Sequence, residues 1–369
     1  MDTTDSTLLH TIALTLVPDI GSVLAQNLIA YCGSAEEVFK CSKKKLLSIP
    51  QIGEERANSI LSADVLRDAE AELKFIQDYK IQPLVYTDPA YPQRLRECND
   101  LPIILYYRGN ADLNAAKIVS VVGTRHITEY GKEFTRKFVE ELGDQNILVV
   151  SGLAYGVDVA AHQAALDSKM STIGVLAHGL NTIYPAQHKT VARRMTEQGG
   201  LLTEYTSKHE MSPGNFPARN RIVAGMADAT VVIESAAKGG ALITAGIANT
   251  YNKEVFAIPG RVSDKYSAGC NFLIRTFKAT MIESAAQFLE AMNWQSNATP
   301  KKRKAQLSLH LSAQEQKIYQ LLSAEELEID RLVLLSEMSG GEIAAILLEM
   351  EMNGMVVSLP GKRYKLVSA

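Results

Sequence analysis

The residues of this chain best placed to do chemistry stand where short apolar runs end. Ile118–Val122 runs into Gly123, Thr124 and Arg125; a second run leads to Ser151-Gly-Leu-Ala-Tyr-Gly156, and a third to Lys238, Gly239 and Gly240. Glycines at such exits let backbone N–H groups approach an anion, and a helix starting just beyond favours negative charge. The same glycines also serve simply to make tight turns; three of them along one sheet edge point to a phosphate-bearing ligand. Asn215-Phe-Pro-Ala-Arg-Asn-Arg221 supplies side chains, with Arg219 and Arg221 the only charges between Met211 and Ala227. Pro217 predicts a helix over 219–226 with both arginines at its positive end, which is poor for stability alone and useful if an anion fills the gap. Arg125 can join them from the first exit. Phe216 reads equally as a packing residue and as a ring for stacking a base.

Candidates for catalysis are fewer. Asp158 and His162 lie four apart on one predicted helix, Glu204 and Glu234 follow strands, and His178 sits in a loop. Asp158 also suits a helix start, and His162 suits a hydrogen bond on its own face. No Ser-His-Asp order, GxSxG elbow, Walker loop or metal signature is present. The first exit also lacks the GxGxxG spacing of a dinucleotide site, so no cofactor is expected.

The elements that must position these groups alternate. Strands are predicted at 117–122, 147–151, 171–177, 200–203, 229–234 and 254–258, with helices at 130–142, 158–167, 188–197 and 242–252 between them. That order means a doubly wound, mostly parallel α/β sheet of Rossmann-like type, whose ligands bind at the carboxyl ends of the strands. Further strands at 82–86 and 103–107 extend or flank it, and Tyr91, Tyr106 and Tyr107 read as packing residues more than as binding aromatics. The net charge of −3 gives no bulk footprint for a polyanion, so such a site must be focal. The four scattered cysteines form no CxxC pair, which favours a reducing cytosol over disulfides or structural zinc. The acidic N-terminus lacks a signal-peptide n-region.

Both ends read as separate modules. Residues 1–80 are helical, with Val17-Pro-Asp-Ile-Gly21 echoed by Ile49-Pro-Gln-Ile-Gly53, a helix-hairpin-helix pattern. It serves either to meet phosphate or only to pack, since Asp19, Glu54 and Glu55 sit in its turns. The sheet domain spans 81–293. A polar linker at 294–308 carries Lys301, Lys302, Arg303 and Lys304. Residues 309–369 give three helices and a hairpin around Pro360-Gly361, a winged helix.

VSVVGTR, VVSGLAYGVDVAAHQAAL, GVLAHGLNTIYPAQH, NFPARNRIVAGMADATVVIESAAKGGALITA and VFAIPG, preceded by DPAYPQRL and LYYRGN, resemble the signature blocks of the DNA processing protein A (DprA/Smf) family. The resemblance implies a cytoplasmic, homodimeric, non-catalytic protein that binds and protects single-stranded DNA and loads the recombinase RecA during natural transformation. It places the DNA pocket on Gly123, Arg125, Gly156, Phe216, Arg219, Asn220, Arg221, Lys238, Gly239 and Gly240, and the dimer surface at about 255–288. Some members carry a Lys where this chain has Pro213, a contact that Lys208 or Lys238 would have to replace. The competing reading is a nucleotide-processing hydrolase on the same sheet. The lysine-decarboxylase-like nucleotide hydrolases carry PGGxGTxxE at this strand end, but here its opening PGG and its acid are missing between Glu234 and Thr244. Finally, residues 309–369 hold nine acids against five bases. A recognition helix should present Arg, Lys, Asn or Gln to a major groove, so this winged helix is expected to contact protein rather than duplex DNA.

Overall fold

The computed structural model describes residues 3–62, 64–295, 312–324, 326–353, 355–359 and 362–366. These fall into two compact units, those up to Gln295 and those from residue 312 on. The Lys301–Lys304 run and the Pro360-Gly361 turn lie outside the described residues.

The larger unit is built on nine strands: β1 (Gln82–Val85), β2 (Ile104–Gly109), β3 (Ile118–Val122), β4 (Leu148–Ser151), β5 (Thr172–Val175), β6 (Gly199–Thr203), β7 (Ala229–Val232), β8 (Glu254–Ala257) and β9 (Thr280–Met281). They lie in the order β1-β2-β6-β5-β4-β3-β7-β8-β9. The seven from β6 to β9 are parallel, and β2 then β1 add on antiparallel at the β6 edge, so the two early strands extend the sheet. The chain starts the parallel series at β3, winds outward to β6, and returns to β7 on the other side of β3. The β3/β7 boundary is therefore the topological switch point, where ligands bind on such sheets.

All five residues of β3 are buried, as a central parallel strand requires. Ile118 and Val122 face one layer, with the Asn215–Met226 and Gly240–Thr250 helices; Val119 and Val121 face the other, with the Glu129–Leu142 and Val157–Asp167 helices. Ser120 is the polar exception, and its hydroxyl donates to Thr230 Oγ1 on β7 at 2.8 Å. Phe288 closes the second layer, edge-on to Phe138, Phe256 and Trp294. Tyr91, Tyr106 and Tyr107 are all buried, so their packing role holds. The six N-terminal helices, from Thr3–Leu16 to Leu66–Asp78, share a core with Ile104 and Tyr106 of β2. No helix among the described residues is long and apolar enough to cross a membrane.

One expectation fails. The helix expected at 219–226 spans Asn215–Met226, and Pro217 is its third residue. The first-turn N–H groups have no intrahelical partner, so proline's missing donor costs nothing there. Arg219 and Arg221 lie beyond the first turn, where the helix dipole no longer argues for them.

The second unit holds helices Ala313–Ala324, Ile329–Ser336 and Gly340–Met352 and a three-stranded sheet of Leu327–Glu328 (β10), Arg363–Leu366 (β12) and Val356–Leu359 (β11) in that spatial order, a winged helix. Its third helix starts on a full capping box between Ser339 and Glu342.

Phe288→Ala removes a fully buried ring shared by three aromatic neighbours. It should cost the larger unit about 3–5 kcal/mol, read as a lower urea midpoint for that unit's transition.

Candidate nucleic-acid interface

A cleft of about 890 Å³ opens at the β3/β7 switch point. Its walls come from the loops after β3, β4, β5 and β7, from the start of the Asn215–Met226 helix, and from the 265–266 loop. Four bases line it, Arg125, Arg219, Lys238 and Lys265, against one acid, Asp158. In a chain of net charge −3 that is a focal positive site.

Arg125, Lys238 and Lys265 are exposed. Lys238 has no ion-pair partner among the described residues, and the Arg125 guanidinium stands 5.4 Å over the Phe216 ring. Lys265 stands 5.4 Å over the ring of Tyr266, which in turn stacks on His126. The Gly240–Thr250 helix has no side-chain cap and no acid in its first turn, and Gly239, Gly240 and Ala241 line the cleft. Its N-terminal N–H groups thus add partial positive charge.

Arg219 lies in the floor. Its Nη1 donates to the carbonyls of Gly152 and Val175, and its Nε to Asn220 Oδ1 at 3.3 Å. Burial presses its pKa below the ordinary arginine value and the nearby Asp158 carboxylate opposes this; an arginine stays charged throughout. Asp158 is raised by burial, against the pull of Arg219 and the N–H of Ala154. Gly152 separates the two groups: a Cβ there would meet Arg219 Nη2 at 2.5 Å and the Asp158 carboxylate at 2.6 Å.

The structure brings Gly123, Arg125, Phe216, Arg219, Asn220, Lys238, Gly239 and Gly240 to one cleft. It does not bring Gly156 or Arg221 there. Gly156 has φ +80° and packs so tightly on the Thr124 carbonyl that no side chain fits. Gly123 likewise abuts Val157, and the N–H of Thr124 is taken by the Glu234 carbonyl at 2.7 Å. These two glycines let the chain pack, whereas Gly240 has open space beside it. Arg221 turns away to form an ion pair with Glu204 and to donate to the Asp100 carbonyl at 2.7 Å. Lys208 is engaged by Asp68 at 3.1 Å, while Pro213 does line the cleft.

The candidate catalytic groups have partners inside the fold. Both Glu234 oxygens accept from Thr128, at 2.9 Å from its N–H and 2.5 Å from its hydroxyl, which fixes the start of the Glu129–Leu142 helix. Glu204 pairs with Arg221. His178 Nε2 accepts from the N–H of Tyr184 at 3.2 Å, and its Nδ1 faces the Gly179 carbonyl. His162 Nδ1 meets Thr172 Oγ1 at 2.7 Å; its Nε2 is buried with no partner. Sequence reasoning missed Lys265, Tyr266, His126 and Tyr184. Only their positions in or beside strand-end loops could have flagged them.

Burial drives the His162 pKa from 6.5 down to about 3. The unfolded chain therefore binds a proton that the folded chain refuses. The stability gained from keeping this ring neutral is full above about pH 6.5 and is lost as pH falls toward 3. His162→Gln should flatten the pH dependence of the unfolding midpoint across that window. Gly152→Ala should displace Arg219 or Asp158 and weaken anion binding in the cleft at least tenfold, measured by titration with a phosphate-bearing ligand.

Residues 82–293 match the family model described as DNA recombination-mediator protein A, and residues 302–362 match that of the DprA winged helix domain. Protein Smf of Synechocystis sp. is 30% identical over 390 residues, covering 96% of this chain and 97% of its own. The X-ray structure of DNA processing protein A from Streptococcus pneumoniae superposes with a TM-score of 0.62 at 28% identity, covering 77% of this chain and 96% of that one. DNA processing protein A from Helicobacter pylori, whose structure is described for its single-stranded DNA binding mode, gives a TM-score of 0.53 at 29% identity, covering 58% and 96%.

Proposed function

The chain belongs to the DNA recombination-mediator protein A (DprA/Smf) family, and on that premise we propose that its switch-point cleft holds the backbone of single-stranded DNA. One observation carries the reading: four bases against one acid in a cleft that also receives an uncapped helix N-terminus. Such a site neutralises successive phosphates and asks nothing of sequence. The Helicobacter pylori relative, described for single-stranded DNA binding, supports the choice of ligand. Arg125, Lys238 and Lys265 contact phosphate, Phe216 shapes the wall, and Arg219 supplies charge from below.

The protein acts by binding rather than by turnover. In support, Glu204, Glu234 and His178 are each held by another part of the fold; the cleft itself offers the buried Asp158 and His126, whose ring stacks on Tyr266. Protection of incoming strands, loading of RecA onto them in the cytoplasm, and homodimerisation through 255–288 belong to the same reading and rest on family membership. Phe277 at 96% exposure and Met281 at 51% stand in that last region.

Arg125→Ala and Lys238→Ala should each weaken single-strand binding severalfold and lower the salt slope by about 0.7, as loss of one phosphate contact requires. Unchanged affinity in the double variant would sink the cleft, and nucleotide turnover abolished by Arg219→Ala would restore the hydrolase. The acidic winged helix predicts that truncation after residue 295 leaves duplex affinity unchanged at physiological salt, measured by mobility shift.

A further inference from the structure

Phe216 is poorly placed to offer a ring face to a base. The Arg125 guanidinium covers one side at 5.4 Å, and the Tyr184 ring forms a T-shaped pair with it, with centroids 5.9 Å apart and planes at 62°. Tyr184 is different. It is 48% exposed, it lines the phosphate cleft, and it also lines a slot of about 70 Å³ leading off that cleft. Its ring contact among the described residues is that one T-shaped pair with Phe216, and no cation stands over it. Its backbone is fixed, because its N–H donates to His178 Nε2. We propose that Tyr184 is the platform on which a nucleobase stacks, with the slot behind it taking the edge of that base. The proposal rests on the cleft holding single-stranded DNA and adds where the base goes.

The slot's chemistry fits. Leu176, Ala177 and Pro185 give it apolar walls, Tyr155 a second ring, and no Asp or Glu lines it. Arg125 and Arg219 border both the slot and the cleft, so a base in the slot keeps its own phosphate among the cations. His178, the one imidazole there, has both nitrogens engaged and reads no base edge. Arg219 Nη1 and Nε are likewise committed. What remains is mainly the ring face, which every base can use. A duplex cannot present a base this way without unpairing it, so the platform selects for single strands, which phosphate contacts alone do not do.

The test compares an oligothymidylate with an abasic strand of equal length, by fluorescence anisotropy on the full chain. Tyr184→Ala should weaken oligothymidylate binding roughly 5- to 150-fold, the range for loss of one stacked base. It should leave the abasic strand bound as before, with an unchanged melting temperature. Tyr184→Phe, which keeps the ring, should recover the lost affinity. Arg125→Ala should weaken both strands alike. Oligothymidylate affinity unchanged in Tyr184→Ala, or lost equally on both strands, would overturn the platform while leaving the cleft intact. Unchanged binding of both strands in Arg125→Ala would remove the cleft reading itself.

Discussion

The structure depends on β3 pairing in parallel with both β4 and β7 while the chain leaves β3 and β7 toward opposite faces of the sheet. After β3 it enters the Glu129–Leu142 helix in one layer; after β7 it enters the Gly240–Thr250 helix in the other. The two exits part, and nothing in the main chain fills the gap. The exits are tied at their base by the Thr124 N–H to the Glu234 carbonyl, and the Glu234 side chain reaches back to the start of the first helix through Thr128. The acid that a reader of the sequence suspects of catalysis is thus the clamp that holds the crevice open.

That constraint explains why the glycines split into two kinds. Gly123 and Gly156 stand where β3 and the Val157–Asp167 helix approach too closely for any side chain. Gly240 stands at the rim, with open space beside it and an uncapped helix behind it. From sequence the two kinds look alike, because a glycine reports that room is short or that room is wanted without saying which.

Much of the fold was legible. Six of the seven parallel strands fall within two residues of their predicted bounds, because buried β-branched runs ended by turn residues leave little else to choose; the two-residue β9 carries no such run and is not predicted. The charges were less so. Arg219 and Arg221 are two apart on one helix and were read as a pair, but Arg221 is captured by Glu204 and Asp100 from other elements. Tyr184 shows the same limit. Tyr91-Pro92 and Tyr184-Pro185 are the same dipeptide, yet Tyr91 is fully buried under the sheet edge and Tyr184 stands at a cleft. Local sequence specified the ring and the rigid turn; only the path of the sheet decided which ring meets solvent.

The cations of the cleft then divide by role. Arg125, Lys238 and Lys265 are exposed, so salt competes for them and they release what they hold. Arg219 is buried with its Nη1 committed to carbonyl oxygens, so it gains little by touching a ligand directly. Its field acts through a less polarisable medium and is screened less. Asp158 beside it lowers the cost of burying the charge without pairing closely enough to cancel it. A fixed charge below and exchangeable charges above give a cleft that stays attractive to a polyanion while no single contact holds the strand in place. That combination suits the reversible hold on single-stranded DNA proposed above.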